Sequence, residues 1–297
     1  MLQFLVDTLL RATDLALIAF GLSMVYGLVK FPNIAHVQYA MLGAYLTFGL
    51  SAVGVPLILA LLLAALLVGA LTLLLQRLVF QRLLKSGPAI AMIGSLALAM
   101  LLVAVIQGTA GSFPKMFDLP LQAPLRLGDA RITHTQLYFF LTTLALLGLF
   151  TLALFHTRMG RAMRALAGNP ALANASGLHA TRITQAVTFA SGALAGLGGG
   201  LLALSTGAHL NLGHDLLLPV FAAAILGGLG NPMGAVAGAV LIALTETLVT
   251  NFDFAWLVGS EGGYLPVAYI SAAAFLILLL ALLFKPYGLF DREVRRV

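Results

Sequence analysis

Chemistry has few places to happen in this sequence, and the first is Phe31-Pro32-Asn33-Ile34-Ala35-His36-Val37-Gln38. One proline and the polar side chains of Asn33, His36 and Gln38 interrupt two apolar runs. Pro32 has no N–H to donate, so a helix breaks or kinks there. A broken helix at membrane depth is tolerated where it lines a cavity or is buried in protein. On one reading its freed backbone groups, with Asn33, His36 and Gln38, face a transported polar solute. On the other it is a short turn near the inner face with Asn33 as helix N-cap, and the placement of the basic residues favours this second reading.

Glu246 is an acid inside an apolar run. An intramembrane ionisable residue is a functional candidate by default. It falls in the last turn of that run, so snorkelling, or a bond to a neighbouring helix, explains it equally well. His209, His214 and Asp215 make a small polar cluster. A metal wants three or four ligands in defined geometry. Their irregular spacing reads instead as solvated residues of an external loop, and no metal site is expected. No Gly-Lys dipeptide occurs, so the chain carries no P-loop. No serine stands in a nucleophile elbow and no paired carboxylates share a span, so the sequence makes no case for an enzyme.

The elements that must position these residues are membrane spans. Of the 297 residues 61% are hydrophobic and only 9% charged, and the mean hydropathy is +1.05. Soluble domains carry about 25% charged residues. Runs such as Leu57 to Leu75 are continuous rather than alternating, which excludes a β-barrel. The expected fold is all-α: a polytopic helical integral membrane protein, a single domain over residues 1–297, with about eight to nine spans including broken or re-entrant ones. Candidate spans run roughly over 9–29, 37–53, 56–76, 88–107, 136–156, 183–204, 216–228, 233–250 and 264–284, and 216–228 reads as a half-helix that enters and turns back. There are no cysteines, so disulfides are excluded. No cleavable signal peptide is expected at the start.

Orientation follows from the basic residues. With residues 157–181 inside, Lys30, Arg77, Arg82, Lys85, Arg158, Arg161, Arg164, Arg182, Lys285, Arg292, Arg295 and Arg296 face the cytoplasm. Arg11, Lys115, Arg126 and Arg131 face out. The acids Asp291 and Glu293 oppose the pattern inside. This predicts a cytoplasmic C-terminus and, with nine spans, an external N-terminus. The net charge of +6 is thus a membrane-orientation signal and not a nucleic-acid one. Residues 108–135 form the main external loop, where Pro114, Pro120 and Pro124 bar a long helix. Within it Leu125-Arg126-Leu127, Gly128-Asp129 and Ala130-Arg131-Ile132 read as a β-hairpin. Gly192, Gly196 and Gly200 recur every fourth residue, as do Gly230, Gly234 and Gly238. Such ridges let helix backbones approach closely in lipid, so these glycines are read as helix packing or a subunit seam.

Between two spans lies Thr157 to Thr181, with arginines at 158, 161 and 164 and no acid. Asn169 can cap, Pro170 fits a first helical position and Gly177 fits an end, which predicts a short helix over about 170–176. Arg158, Arg161 and Arg164 share one side of the preceding helical stretch. The arginines alone fit a lipid-headgroup anchor equally well; the capped short helix favours a docking surface for a cytoplasmic partner.

Several stretches resemble the permease family of branched-chain amino-acid ABC importers, most of all the first of that system's two permeases. They are Met24-Val25-Tyr26-Gly27, Asn33-Ile34-Ala35-His36, Met41-Leu42-Gly43-Ala44-Tyr45, Thr157-Arg158-Met159-Gly160-Arg161-Ala162, Ala173 to Leu178, Ala223 to Ala235, and Lys285-Pro286-Tyr287-Gly288-Leu289-Phe290. The resemblance implies a bacterial inner-membrane importer subunit without a cofactor, carrying branched-chain amino acids or a related amide, urea or organic acid. It also implies a second permease subunit, two cytoplasmic ABC ATPase subunits and an external solute-binding protein. Arg158, Gly160, Arg161, Arg164, Gly168 and Gly177 would then shape a coupling element that seats in the ATPase, and Asn33, His36, Gln38 and Glu246 would be candidates for the solute path. The family usually has Gly-Glu after the histidine, where this chain has Val37-Gln38. The competing reading is a stand-alone secondary transporter or channel, which would need coupling groups at the membrane midplane.

Overall fold

Leucine marks the helices that face outward and small residues mark those that are buried. The computed structural model describes residues 1–119, 123–251, 270–285 and 288–290. Pro120, residues 264–269 of the last expected span, Pro286-Tyr287, and Asp291, Arg292, Glu293, Arg295 and Arg296 lie outside the described residues. Nine apolar helices are described: α1 (Leu2–Val29), α2 (His36–Ala52), α3 (Leu57–Leu75), α4 (Pro88–Ala110), α5 (His134–His156), then α8 (Ala180–Thr206), α9 (Leu212–Gly227), α10 (Pro232–Asn251) and α11 (Ile270–Phe284). Two amphipathic helices, α6 (Arg158–Gly168) and α7 (Pro170–Ala175), sit between α5 and α8. Six of the helices are long and apolar enough to cross a membrane by themselves. The chain is a polytopic all-α membrane protein, as expected.

In lipid the hydrophobic effect does not choose which helix is central, because hydrocarbon is as apolar as leucine. Close backbone approach does. α1 and α8, with α2 beside them, form the buried centre, whereas α3, α4 and α5 show rows of exposed leucines such as Leu62, Leu66, Leu101, Leu144 and Leu152. A methyl group on Gly43 of α2 would overlap the backbone of Gly196 on α8, and one on Gly199 would overlap the backbone of Ala40. Gly192 and Gly196 lie against Thr72 and Val68 of α3, and Gly200 against Thr47 of α2. On the other side of the bundle Gly234 and Gly238 of α10 meet Gly227 and Ala223 of α9. Gly230 corrects the expected triplet: it lies outside α10, in the preceding turn with φ 94°, against Gly27.

Local signals end and restart the chain. α3 continues through a π turn at Gln76–Phe80 to Ser86. Gly87, at φ 123°, turns it, a conformation open to a residue without Cβ. Pro88 then opens α4. A capping box starts α5, with Thr133 Oγ1 accepting from the Gln136 N–H at 3.2 Å and Gln136 Oε1 accepting from the Thr133 N–H at 3.0 Å. Strands β1 (Leu125–Leu127) and β2 (Ala130–Ile132) pair antiparallel around Gly128, in the expected register.

The bundle has two distinct ends. At one, Gln3 Oε1 accepts from the Arg131 N–H at 2.8 Å, Phe48 packs on Phe117, and Lys115 pairs with Ala208. At the other, Phe31 packs on Phe80, Gly230 on Gly27, and the Leu289 N–H donates to Leu226 O at 2.8 Å. Met24 near the end of α1 shares a cavity of about 130 Å³ with Thr157, Gly160 and Met163. The N-terminus and the hairpin loop thus share one end, and the α6–α7 pair occupies the opposite one.

Candidate functional site

Two of the short helices are short because the chain enters them from inside the bundle. α1 stops at Lys30, the one non-glycine residue at positive φ among those described. Residues 31–35 then run inward rather than along the surface. Phe31 is buried against Phe80, and the Ile34 N–H donates to Ser95 Oγ on α4 at 2.9 Å. Asn33 Oδ1 accepts from the Ala35 N–H at 3.1 Å. α2 therefore begins at His36 within the protein, and His36 Nε2 lies 3.2 Å from the Ile18 carbonyl of α1. Ile18 is twelve residues before Lys30, about 18 Å along the helix. This corrects the expectation of a short surface turn capped by Asn33: the segment is a buried break, the kind of irregular backbone that membranes admit only inside protein. Close by, Ser191 Oγ of α8 donates to the Gly21 carbonyl at 2.7 Å. Asn33, His36 and Gln38 are all buried.

The second inward segment comes from the hairpin end. α8 stops at Gly207, with φ 78°, and Ala208 pairs with Lys115. α9 starts at Leu212, four residues before the expected start, and reaches its far end at Gly227. Gly213 in its first turn lies against Val37 and the side-chain amide of Gln38. The first turns of α2 and α9 thus meet inside the bundle. His214 and Asp215 belong to that first turn and are exposed, while His209 precedes it. His214 and Asp215 are thus helical rather than loop residues, whereas His209 does lie in the connection, next to Ala208.

Glu246 is neither at the surface nor with the Asn33–His36–Gln38 group. Its side chain is 2% exposed, and its Oε2 accepts from Arg11 Nε at 2.6 Å, joining α10 to α1. Arg11 also lies 3.6 Å from Asp14. Composition singles out Glu246 but passes over Arg11 and Asp14. Their signal is an arginine and an acid three apart inside a run otherwise long enough to cross. A buried charge needs a partner of opposite sign, and α1 supplies it.

The α6–α7 pair is built as a platform across the end of α5. Thr157 caps α6, its Oγ1 accepting from the Gly160 N–H at 3.1 Å. A side chain on Gly160 would overlap the Ala153 and Leu154 carbonyls, so only glycine lets α6 lie this close to the end of α5. α6 buries Gly160, Met163 and Leu166, one side of the helix. The arginines divide. Arg161 Nη1 donates to the His156 carbonyl at 3.2 Å, and Arg164 donates to the Leu154 carbonyl and lies over the Phe155 ring at 5.0 Å. These two close the unpaired carbonyls at the C-terminus of α5, where cations are favoured. Arg158 is exposed. α7 is capped by Asn169, whose Oδ1 accepts from the Leu172 N–H at 3.0 Å, and opens with Pro170. It ends at Ala175, before Gly177 at φ 81°. Gly168 has open space where a Cβ would stand. Leu172 projects outward, 65% exposed, whereas Met159 is half-exposed and also lines the cavity shared with Met24 and Val187.

Residues 4–285 match the family described as branched-chain amino acid transport system / permease component. The chain is 29% identical to the high-affinity branched-chain amino acid transport system permease protein BraD of Pseudomonas aeruginosa, over all of this chain and 98% of that protein. It is 29% identical to LivH of Escherichia coli, of the same description, over all of this chain and 97% of that protein. A probable branched-chain amino acid transport permease protein, LivH of Methanocaldococcus jannaschii, is 30% identical over 93% of this chain and 88% of its own length. No solved structure matches the chain significantly.

Proposed function

This chain belongs to the branched-chain amino acid transport system permease family, and from that premise we propose that it forms one half of the transmembrane path of an ABC importer for branched-chain amino acids or a related small polar solute. The importer is driven by two ATPase chains, fed by a solute-binding protein and completed by a second permease. The observation that carries the reading is the α6–α7 platform. It is capped at both helix starts, held on α5 by Gly160, and leaves Leu172 and Arg158 exposed. An exposed leucine on an element that also carries exposed positive charge suits an apolar cleft with an acidic rim on a cytoplasmic ATPase. With no P-loop of its own, the chain takes its energy through that contact.

The end carrying the platform also holds Lys30, Arg77, Arg82, Lys85, Arg158, Arg161 and Arg164, which the positive-inside rule places at the cytoplasm of a bacterial inner membrane. The hairpin end, with the N-terminus, then faces the binding protein. Within the platform Arg161, Arg164 and Gly160 hold the element in place, and Arg158 and Leu172 belong to its exposed face. Asn33, His36 and Gln38 border the path; Glu246 acts through its pair with Arg11.

The test is reconstitution. Liposomes holding this chain with its permease, ATPase and binding-protein partners should take up leucine only with ATP. Leu172→Asp, which puts a charge on the docking face without touching the bundle, should break ATP-driven uptake while the chain still accumulates and unfolds as before. Leucine uptake by this chain alone, with no companion and no ATP, would refute the proposal in favour of a self-sufficient carrier.

A further inference from the structure

We infer that the meeting point of the α2 and α9 N-termini is a binding station for the paired ammonium and carboxylate of a zwitterionic solute. This rests on the importer reading and deepens it. Gly213 lies fourteen residues before Gly227, about 21 Å along α9, and a hydrocarbon layer is about 30 Å thick. The station is therefore within the membrane. Two helix starts converge on it, one entering from each end; at the α2 start the His36 and Gln38 N–H groups already reach the Asn33 and Ala35 carbonyls, so the free donors are those of α9. In α9 the Asp215 N–H reaches the Asn211 carbonyl at 2.8 Å, so the N–H groups of Gly213 and His214 stand ahead of the helix's i−4 bonds. Paired with the helix dipole, such groups favour a carboxylate.

Gln38 supplies the second, independent observation. It is 7% exposed, and its Oε1 is buried without a hydrogen-bond partner. That oxygen sits against Gly213, where any side chain would displace it. A buried acceptor left without a donor is costly. An ammonium group arriving beside a carboxylate at the α9 start supplies the donor. The station is also one residue from an exposed surface. His214 and Asp215 project outward from the same turn, and at this depth a histidine and an aspartate face water or protein rather than lipid. A water-filled path along that side of α9 would deliver the solute to Gly213 and Gln38.

The experiment uses the complete importer in liposomes with leucine as probe, reading leucine moved per ATP hydrolysed. Gln38→Leu removes the acceptor and should lower that ratio about tenfold or more, the weight of one hydrogen bond to a charged group. Gly213→Ala, whose methyl displaces the Gln38 amide, should do the same. Gln38→Glu keeps an acceptor for the ammonium and should retain a ratio well above that of Gln38→Leu. A wild-type ratio in both Gln38→Leu and Gly213→Ala would overturn the station. Equal loss in Gln38→Leu and Gln38→Glu would also overturn it, as a purely structural role for Gln38. A wild-type complex that hydrolyses ATP but moves no leucine would instead overturn the importer reading beneath it.

Discussion

Replacing Glu246 with leucine should destabilise the bundle through Arg11 rather than through lost packing. Glu246 lies fourteen residues into α10 from Pro232, about 21 Å along the helix, and 2.6 Å from Arg11. Removing one member of a buried ion pair costs roughly 3–5 kcal/mol, because the other charge stays behind without compensation. Two features place this site at the low end. The Arg11 side chain is 31% exposed, and Asp14 at 3.6 Å remains as a second partner. About 3 kcal/mol corresponds to roughly 6–10 °C in apparent melting temperature for a chain of this size. The assay is thermal unfolding in detergent across a cycle of Glu246→Leu, Arg11→Leu and the double variant. If the charges act as a pair, Glu246→Leu should cost less in the Arg11→Leu background than in the wild type, because the arginine it would strand is already gone, and Asp14 lacks Arg11 in both members of that comparison. A shift for Glu246→Leu that is the same with and without Arg11 would refute the pair as a joint between α1 and α10.

Further outcomes follow from the packing and the caps. Gly43→Ala should push α2 off α8, since its methyl overlaps the Gly196 backbone, and folded yield should collapse, whereas Gly49→Ala, which meets open space, should fold normally. Asn169→Ala should cost about 1 kcal/mol of local stability by freeing the Leu172 N–H, seen as faster hydrogen exchange in α7 with no change in the bundle. Arg164→Ala should loosen α6 from α5, and lysine should restore only part of the loss, because it cannot both donate to the Leu154 carbonyl and lay a planar cation on Phe155; exchange rates in α6 read the difference.

Leucine-rich spans, the hairpin around Gly128 and the capped α7 were legible because each is written locally. An apolar run of sufficient length, a glycine between alternating residues, or an Asn-Pro start carries its own physical cause. The glycine ridge on α8 was legible for the same reason, as a period of four. Gly230 was misplaced because period alone does not distinguish a glycine that lets a helix pass from one that turns the chain at φ 94°. The arginines of α6 show a similar limit. Their spacing of three gives a shared side, but whether that side faces a partner or the carbonyl end of α5 is decided by Gly160, which lets α6 fold back on its predecessor.

The buried starts of α2 and α9 were the least legible, and they matter most for transport. Hydropathy reports what a segment would prefer in lipid, but of residues 31–35 and 207–211, Phe31, Asn33, Ala35, Gly207 and Ala208 are buried in protein. Their backbone polar groups are met by protein: the Ile34 N–H by Ser95 on α4, Ala208 by Lys115. Such partners lie 61 and 93 residues away in the chain, so no window on the sequence contains the reason the break is tolerated. The trace left in sequence is a deficit. Spans of 17 and 16 residues are too short to cross alone, and the missing length is non-helical chain inside the bundle. Two such deficits entering from opposite ends bring two helix N-termini together within the membrane, which is where a pore that moves a charged solute must replace water.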